Sequence, residues 1–462
     1  MPQSLALFLY IILILWLLLE ERKQCPKLSR AIWLPFLWLA IIGSRPISMW
    51  WGFNVEFKKA DDYLEGSPFD RIVFLLLIVL ALIVLCRRNL QWRTILSENR
   101  FLFLYFSYIL ISTLWSPFPF TAIKRWIKDF GNVLMVLVVL TDRKPLEALQ
   151  SLFIRCASIL IPLSILMIKY YPNLGRIYNR WTNQPVLVGV TTDKNMLGMT
   201  IFIFGVFLLW SLRTIIHKNE IVSIWKGAAP RVILILMTLW LLSKARSSTA
   251  LVTTIMATGV IGSTAFDFFR KRYPKMGTYI LVCAFLGTLL FVAGAGNMIM
   301  GILGRDVTLT GRTNIWSEVL EEKINPFIGA GFYSFWLGDR NDRLSESFYY
   351  SLGEAHNGFI EIYLNVGLIG LLLFVALLFA SYKKIAESLK NGDEFGVFRL
   401  VFFVAVLLYA ITEAIFDRIN PLWFGFLALV VQPYSWSMAS IATEGGGSRF
   451  RLSNSSHLNS GE

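Results

Sequence analysis

The sequence predicts an all-α protein: a polytopic transmembrane helical bundle of about 12 to 13 spans with one large extracytoplasmic loop. Of its 462 residues, 56% are hydrophobic and only 16% are charged, whereas a soluble domain carries about 25% charged residues. Apolar runs recur along the whole chain. One mostly polar stretch, residues 297–357, interrupts them.

The candidate spans follow the apolar runs. Several are short for a hydrocarbon core of about 30 Å, so they are expected to extend into their flanking residues. The thirteen spans are 3–19, 31–44, 70–86, 101–115, 129–141, 151–169, 197–213, 231–244, 249–266, 277–297, 358–381, 398–416 and 421–437.

Lysine and arginine cluster in alternate loops, which orients the chain. The side richer in these residues is predicted to be cytoplasmic, and the polar stretch falls on the opposite side. Four regions follow: an N-terminal transmembrane bundle (1–296), a large extracytoplasmic catalytic loop (297–357), C-terminal transmembrane helices (358–437) and a cytoplasmic tail (438–462). The tail is rich in Gly, Ser and Asn and is predicted to be disordered.

The net charge of +14 does not indicate nucleic-acid binding, because no basic run is interleaved with aromatics on a soluble domain. Such cations instead flank helix ends. The four cysteines form no CxxC pair and no metal-ligand spacing. No metal site and no cofactor are therefore predicted.

Several cations face the predicted outer side close to helix ends, against the orientation rule. A phosphate-bearing lipid would offset this, since the arginine fork suits a diphosphate. Each residue could instead reach lipid headgroups or pair with a nearby acid. Arg246 is the strongest candidate, because it lies in a very short polar break where an unpaired charge is costly. The candidates are Arg125, Arg176, Arg180, Lys194, Arg246 and Arg312.

His356 is one of three histidines and lies at the end of the polar stretch, in E-A-H-N-G-F-I-E. A lone histidine in a loop is often only a structural hydrogen-bonder. Here Glu354 could orient the ring, Asn357 offers an amide, and imidazole can take a proton from a sugar hydroxyl near neutral pH. His356 is therefore a candidate catalytic residue.

Aromatic side chains in the polar stretch offer flat faces on which sugars could stack. They could equally form a small core inside the loop, and the sequence leaves both interpretations open. They are Trp316, Phe332, Tyr333, Phe335 and Trp336.

The order of motifs resembles the O-antigen ligase and O-antigen polymerase superfamily, including its exopolysaccharide-polymerase branch. The motifs are G-R-x-x-I-W from Gly311, N-P-x-x-G-x-G from Asn325 and H-N-x-x-x-E from His356, which is followed by G-L-I-G. D-K-N-x-L-G and the S-K-A-R-S-S break lie upstream. The resemblance spans roughly residues 116–373 and is specific only as a set.

The resemblance implies a membrane-embedded, metal-independent, inverting glycosyl transferase of the bacterial inner membrane, with its active site on the extracytoplasmic face. It would polymerise undecaprenyl-diphosphate-linked repeat units into exopolysaccharide or O-antigen, with an acceptor glycan or lipid and, as a further partner, a chain-length regulator. By motif position His356 would be the base or would orient the acceptor. Arg246 and Arg312 would hold the diphosphate, and Lys194 and Asn195 would line the same cleft.

Two alternatives remain. An O-antigen ligase would transfer a finished glycan to lipid A core with the same donor and leaving group. A polysaccharide or lipid transporter should carry ionisable groups at midspan and broken helices in related halves. Here the ionisable groups cluster at helix ends on one side.

Overall fold

The computed structural model describes most of the chain. The described residues are 1–24, 28–52, 67–178, 183–217, 221–263, 272, 312–348, 352–391 and 393–432. The predicted span at 277–297 and the predicted tail at 438–462 lie outside them.

Long apolar helices dominate the described residues, which confirms the predicted all-α class of a multi-pass membrane protein. Six helices are long and apolar enough to cross a membrane, and five shorter apolar helices accompany them. The six are Gln3–Gln24, Pro68–Arg87, Pro145–Tyr170, Lys194–Ile216, Gly227–Ala245 and Gly358–Lys390. The five are Arg30–Ile42, Arg100–Trp115, Ser248–Ser263, Phe395–Ala410 and Pro421–Val430. The total of 12 to 13 spans stays a prediction.

In chain order the helices and strands are α1 (Gln3–Gln24), a 3-10 turn (Arg30–Ile32), α2 (Trp33–Ile42), α3 (Ile47–Trp50), α4 (Pro68–Arg87), α5 (Trp92–Glu98), α6 (Arg100–Ile111), a 3-10 turn (Ser112–Trp115), α7 (Pro119–Leu140), α8 (Pro145–Tyr170), α9 (Pro172–Gly175), β1 (Arg176–Tyr178), β2 (Pro185–Leu187), α10 (Lys194–His217), α11 (Ile221–Ala245), α12 (Ser248–Ser263), α13 (Arg312–Glu321), α14 (Asp339–Phe348), α15 (Gly358–Lys390), α16 (Glu394–Ala410) and α17 (Pro421–Val430). Strands β1 and β2 pair antiparallel, with Ile177 opposite Val186.

Helix α7 is continuous from Pro119 to Leu140. The sequence predicts a span only at 129–141, so the helix begins earlier in the chain than expected. The cationic first half of the helix carries Arg125, which is buried and donates to the backbone carbonyl of Tyr333. A distant loop therefore covers a charge that the sequence placed close to a helix end.

Helix α15 is broken at Gly367, whose φ of 67° and ψ of −168° are not helical. The loop N-P-F-I-G-A-G fills the break: the amides of Leu368 and Ile369 donate to the carbonyls of Pro326 (2.9 Å) and Phe327 (3.0 Å). A Cβ on Gly367 would lie 2.3 Å from the carbonyl oxygen of Phe327. Glycine is thus needed because two backbones touch and because φ is positive.

The polar stretch has its own small apolar core beside the main one. Trp316, Phe335 and Trp336 are buried in it, and Phe332 is buried in the main core. Trp316, Phe335 and Trp336 therefore form a small core, as one of the two interpretations predicted. The substrate-binding role of Trp316 stays a prediction. Among the five aromatics, Tyr333 faces the cavity described next.

Candidate active site

A cavity of about 650 Å³ opens where the polar stretch meets the ends of the apolar helices. Its walls come from the starts of α4, α7 and α10, the residues before α15 and the loop between α16 and α17. Ionisable side chains line it densely. They are Asp70, Arg125, Lys128, Asp129, Asp193, Glu354, His356, Glu413, Asp417 and Arg418.

His356 lies at this cavity between two carboxylates. Its Nδ1 is 2.7 Å from Glu354 Oε1 and 3.4 Å from Glu413 Oε2. Burial alone would lower the pKa of His356, but the hydrogen bonds and negative charges of both glutamates raise it from 6.5 to about 10. The ring is therefore an imidazolium near neutral pH. An imidazolium cannot accept a proton, so this resting state fits the predicted orienting role and not the role of base.

Each glutamate beside His356 also binds an arginine. Glu413 accepts from Arg312 Nη2 at 2.8 Å, and Glu354 accepts from Arg418 Nη1 at 2.9 Å. Burial would raise the pKa of Glu354, yet Arg418 and the hydrogen bond from His356 lower it from 4.5 to about 2. The order Arg312–Glu413–His356–Glu354–Arg418 thus forms one row of alternating charge, called the charge row below.

Glu361 anchors one end of the charge row. This glutamate closes the H-N-x-x-x-E motif and is 5% exposed. It accepts from Arg418 Nη2 (3.0 Å), from Trp336 Nε1 (2.8 Å) and from the amide of Ala355 (3.0 Å). This one carboxylate therefore connects the start of α15 to the small core of the polar stretch and to the loop before α17.

Local capping fixes the backbone on both sides of His356. Asn357 is the N-cap of α15: its Oδ1 accepts from the amides of Phe359 and Ile360, and its Nδ2 donates to the Ile411 carbonyl at 3.1 Å. Trp316 Nε1 donates to the carbonyl of Ala355 at 2.7 Å. The buried amide of Asn357 is therefore used in holding the loop, and its predicted substrate-binding role stays a prediction. Trp316 likewise positions the histidine.

Tyr333 forms a wall of the cavity between two arginines. The guanidiniums of Arg125 and Arg418 lie 4.8 Å and 5.5 Å from its ring centroid. Such cation–π contacts hold the guanidiniums in place, and the guanidiniums keep their positive charge. Burial raises the pKa of Tyr333 to about 12, so the phenol is neutral at physiological pH.

Three residues that line the cavity adopt backbone conformations that non-glycine residues rarely use. The φ angles are 54° for Tyr333, 50° for His356 and 56° for Asp417. Such strain costs of order 1–3 kcal/mol each and persists where the surrounding contacts impose it, typically at functional sites. Arg246, with φ 48°, shares the feature.

The other predicted site residues do not all line the cavity. Arg125 and Asn195 line the cavity, but Lys194 is exposed beside it and is not part of its lining. Arg176 donates two hydrogen bonds to the Ile168 carbonyl, at 3.0 and 2.8 Å, which makes it a cap of α8 rather than a cavity residue. Its predicted substrate-binding role is corrected on that ground. Arg180 lies outside the described residues.

Arg246 is exposed between α11 and α12 and does not line the cavity. Three residues later, Thr249 Oγ1 hydrogen-bonds Thr412 Oγ1 at 2.9 Å. Arg312 donates to the carbonyl of the same Thr412. The start of α12 therefore lies beside the charge row, although no contact between Arg246 and that row occurs among the described residues.

Sequence reasoning missed Glu413, Asp417 and Arg418. All three occupy the short segment between the apolar helices α16 and α17. A signal was present, because this break holds three charges where unpaired charge is costly. The same reasoning had singled out Arg246.

Glu354, His356 and Glu413 offer three ligand atoms that lie within 4.8 Å of one another, a spacing that could hold a metal ion. Both carboxylates, however, already accept from an arginine. A cation entering here would compete with the two guanidiniums for these carboxylates.

Fold and site together define a multi-pass membrane protein with a site of paired acidic and basic side chains at one end of its helical bundle. Residues 231–375 match a family model described as O-Antigen ligase. The chain is also 26% identical over 339 residues to the exopolysaccharide production protein ExoQ of Rhizobium meliloti (strain 1021), an alignment that covers 71% of this chain and 74% of the relative. No solved structure matches. The superfamily predicted from the motifs is confirmed by the first two findings, which support a polymerase-like or ligase-like function in O-antigen or exopolysaccharide synthesis.

Proposed function

We propose that the protein is an inverting glycosyl transferase that polymerises undecaprenyl-diphosphate-linked repeat units into exopolysaccharide or O-antigen. It works on the extracytoplasmic face of the bacterial inner membrane. The charge row carries this proposal. His356 and Arg418 line the cavity together with Arg125 and Lys128, and Arg312 joins the row through Glu413. A dense set of cations at the membrane end of a cavity suits a lipid diphosphate.

The reaction needs few groups. The oxygen of an acceptor sugar hydroxyl attacks the anomeric carbon of the donor, the bond from that carbon to the diphosphate oxygen breaks, and the lipid diphosphate leaves. The hydroxyl proton passes to a base in the cavity. Cations that are already in position when the bond breaks stabilise the negative charge that develops on the leaving diphosphate. One such group contributes about 3–4 kcal/mol in other enzymes. Arg312, Arg418 and His356 are assigned to this role.

The base is assigned to a carboxylate rather than to His356, because the histidine is already protonated. Burial raises the pKa of Asp417 from 3.8 to about 7. A base with a pKa near the working pH is efficient. Glu354 has a pKa of about 2 and is therefore a weak base.

No metal and no nucleotide are needed in this scheme. The donor carries its own leaving group, and the guanidiniums supply the positive charge that a divalent ion would otherwise bring. The relative from Rhizobium meliloti is an exopolysaccharide production protein, which favours the polymerase.

The ligase remains the second candidate, because the matching family model is described as O-Antigen ligase. A ligase would use the same donor and transfer the glycan to lipid A core. Reconstitution separates the two: purified protein is incubated with a lipid-linked repeat unit, with and without lipid A core. A product ladder without core supports the polymerase. Transfer only onto core overturns that proposal in favour of the ligase.

Variants test the site itself. Arg312→Ala and His356→Ala should each abolish glycan extension while the protein remains inserted and abundant. Arg343→Ala is a matched control, since this arginine of the polar stretch pairs with Glu322 and does not line the cavity. Normal chain lengths in the first two variants would remove the assigned roles.

Arg246 and Lys194 keep their proposed role in binding the donor at the rim of the site. Arg246→Lys should be impaired, because a point charge cannot replace a planar fork at a diphosphate. Wild-type activity in this variant would mean that Arg246 provides only charge.

A further inference from the structure

A second groove, of about 200 Å³, runs between α4 and α7 next to the main cavity. Four cations line it together with apolar side chains, and none of the described residues that line it is acidic. The lining consists of Arg71, Phe74, Leu75, Ile78, Thr121, Lys124, Arg125, Ile127 and Lys128. The groove is thus cationic and apolar at once, as a lipid with an anionic head requires.

The groove and the cavity adjoin each other, because Phe74, Arg125 and Lys128 line both. Lys128 Nζ lies 4.4 Å from the centroid of the Phe74 ring, so the cation stands on the partition between them. An anionic group moving from the groove to the cavity would stay beside Arg125 and Lys128 throughout.

The apolar part of the groove extends along α4. Arg71, Phe74, Leu75 and Ile78 follow the i, i+3, i+4, i+7 spacing that places them on one helix face. At 1.5 Å per residue this face covers about 10 Å along the helix. Leu75 is 57% exposed in the chain, so on a membrane-spanning helix it faces lipid. The groove therefore opens sideways towards the bilayer.

We infer that the groove between α4 and α7 is the lateral entry for the donor and holds the first isoprene units of its polyprenyl chain while the diphosphate lies on Arg125 and Lys128. This inference rests on the proposed function and adds the location of the lipid. Burying each further CH₂ group contributes about 0.8 kcal/mol, so a few isoprene carbons suffice to favour the long-chain donor.

A pair of adjacent leucines provides the test. Leu75→Trp fills the groove, whereas Leu76→Trp adds the same ring to a neighbouring position that is 55% exposed and does not line it. Each variant is assayed with the same glycan diphosphate on an undecaprenyl chain and on a short, water-soluble prenyl chain. Leu75→Trp should raise the KM for the undecaprenyl donor about tenfold, the effect of losing roughly two buried CH₂ groups. The KM for the short donor, and both KM values of Leu76→Trp, should stay at the wild-type level.

Equal KM values for the undecaprenyl donor in both variants would overturn the groove assignment while leaving the proposed function intact. Failure of the wild-type protein to use either donor would overturn the proposed function itself. Native mass spectrometry with undecaprenyl diphosphate and phosphatidylglycerol identifies the occupant. Loss of bound undecaprenyl diphosphate in Leu75→Trp supports the inference. Loss of phosphatidylglycerol alone contradicts it, since the groove would then hold ordinary phospholipid.

Discussion

The protonation state of His356 can be measured directly, because the chain has only three histidines. Two carboxylates raise its pKa from 6.5 to about 10. At about 1.4 kcal/mol per pH unit, this rise corresponds to at most about 5 kcal/mol in favour of the imidazolium. The side chain is 27% exposed, so solvent screening reduces that figure.

The distances predict how the two carboxylates share this effect. Glu354 lies 2.7 Å from Nδ1 and Glu413 lies 3.4 Å from it. Glu354→Gln should therefore lower the pKa of His356 by roughly 2 pH units, and Glu413→Gln by about 1, within the usual range for a neighbouring opposite charge. The matched control is Glu346→Gln, a glutamate of α14 that does not line the cavity.

The assay is a titration of ¹⁵N-labelled histidine by NMR in detergent micelles, with the signals assigned through His217→Ala and His457→Ala. The wild-type His356 ring should remain doubly protonated up to about pH 9. A wild-type pKa near 6.5, or an unchanged value in Glu354→Gln, would refute the charge row as described.

Three further predictions concern the fold and the chemistry. Gly367→Ala should lower the free energy of unfolding by about 2–3 kcal/mol, because the new Cβ would clash with the Phe327 carbonyl. Gly259→Ala is the control and should be neutral, because Gly259 has open space around it. Equal thermal midpoints for the two variants would contradict this prediction. If Asp417 is the base, activity should rise as the pH rises through about 7, because its carboxyl then loses a proton. Asp417→Asn should abolish transfer without lowering donor binding. A rise in activity near pH 10 instead would return the role of base to His356. Activity should survive EDTA, because arginines supply the charge at the donor; loss restored by a divalent ion would show that a metal is required.

The fold class was predictable because lipid-facing helices are long apolar runs that need no distant partner to be recognised. Helix α7 was predicted less well. Its cationic half breaks the apolar pattern, and the buried Arg125 donates to the Tyr333 carbonyl, 208 residues away in the chain. Pairing over such a separation leaves no trace in local composition.

Only part of the candidate site could be predicted from the sequence. His356 and Glu354 are near neighbours in the chain, so their contact could be expected from spacing. Glu413 lies 57 residues beyond His356, and its role depends on how α16 packs against α15. The resemblance to a family identified the motif but not this second carboxylate.

The roles of polar and aromatic residues were the hardest to assign. Trp316 and Asn357 look like sugar-binding groups in the sequence, but both are used to hold the loop around His356. A buried donor must find an acceptor, and the nearest one here is the backbone beside the histidine. Sequence alone does not show whether such a group faces substrate or scaffold.

Cryo-electron microscopy of the protein with undecaprenyl diphosphate is the most direct test of the diphosphate site. Both phosphates should lie in the cavity beside the His356 ring and Arg418. They should also contact Arg125 and Lys128, at the mouth of the groove between α4 and α7. Density for the phosphates elsewhere, with the arginines still bound to Glu413 and Glu354, would contradict the account.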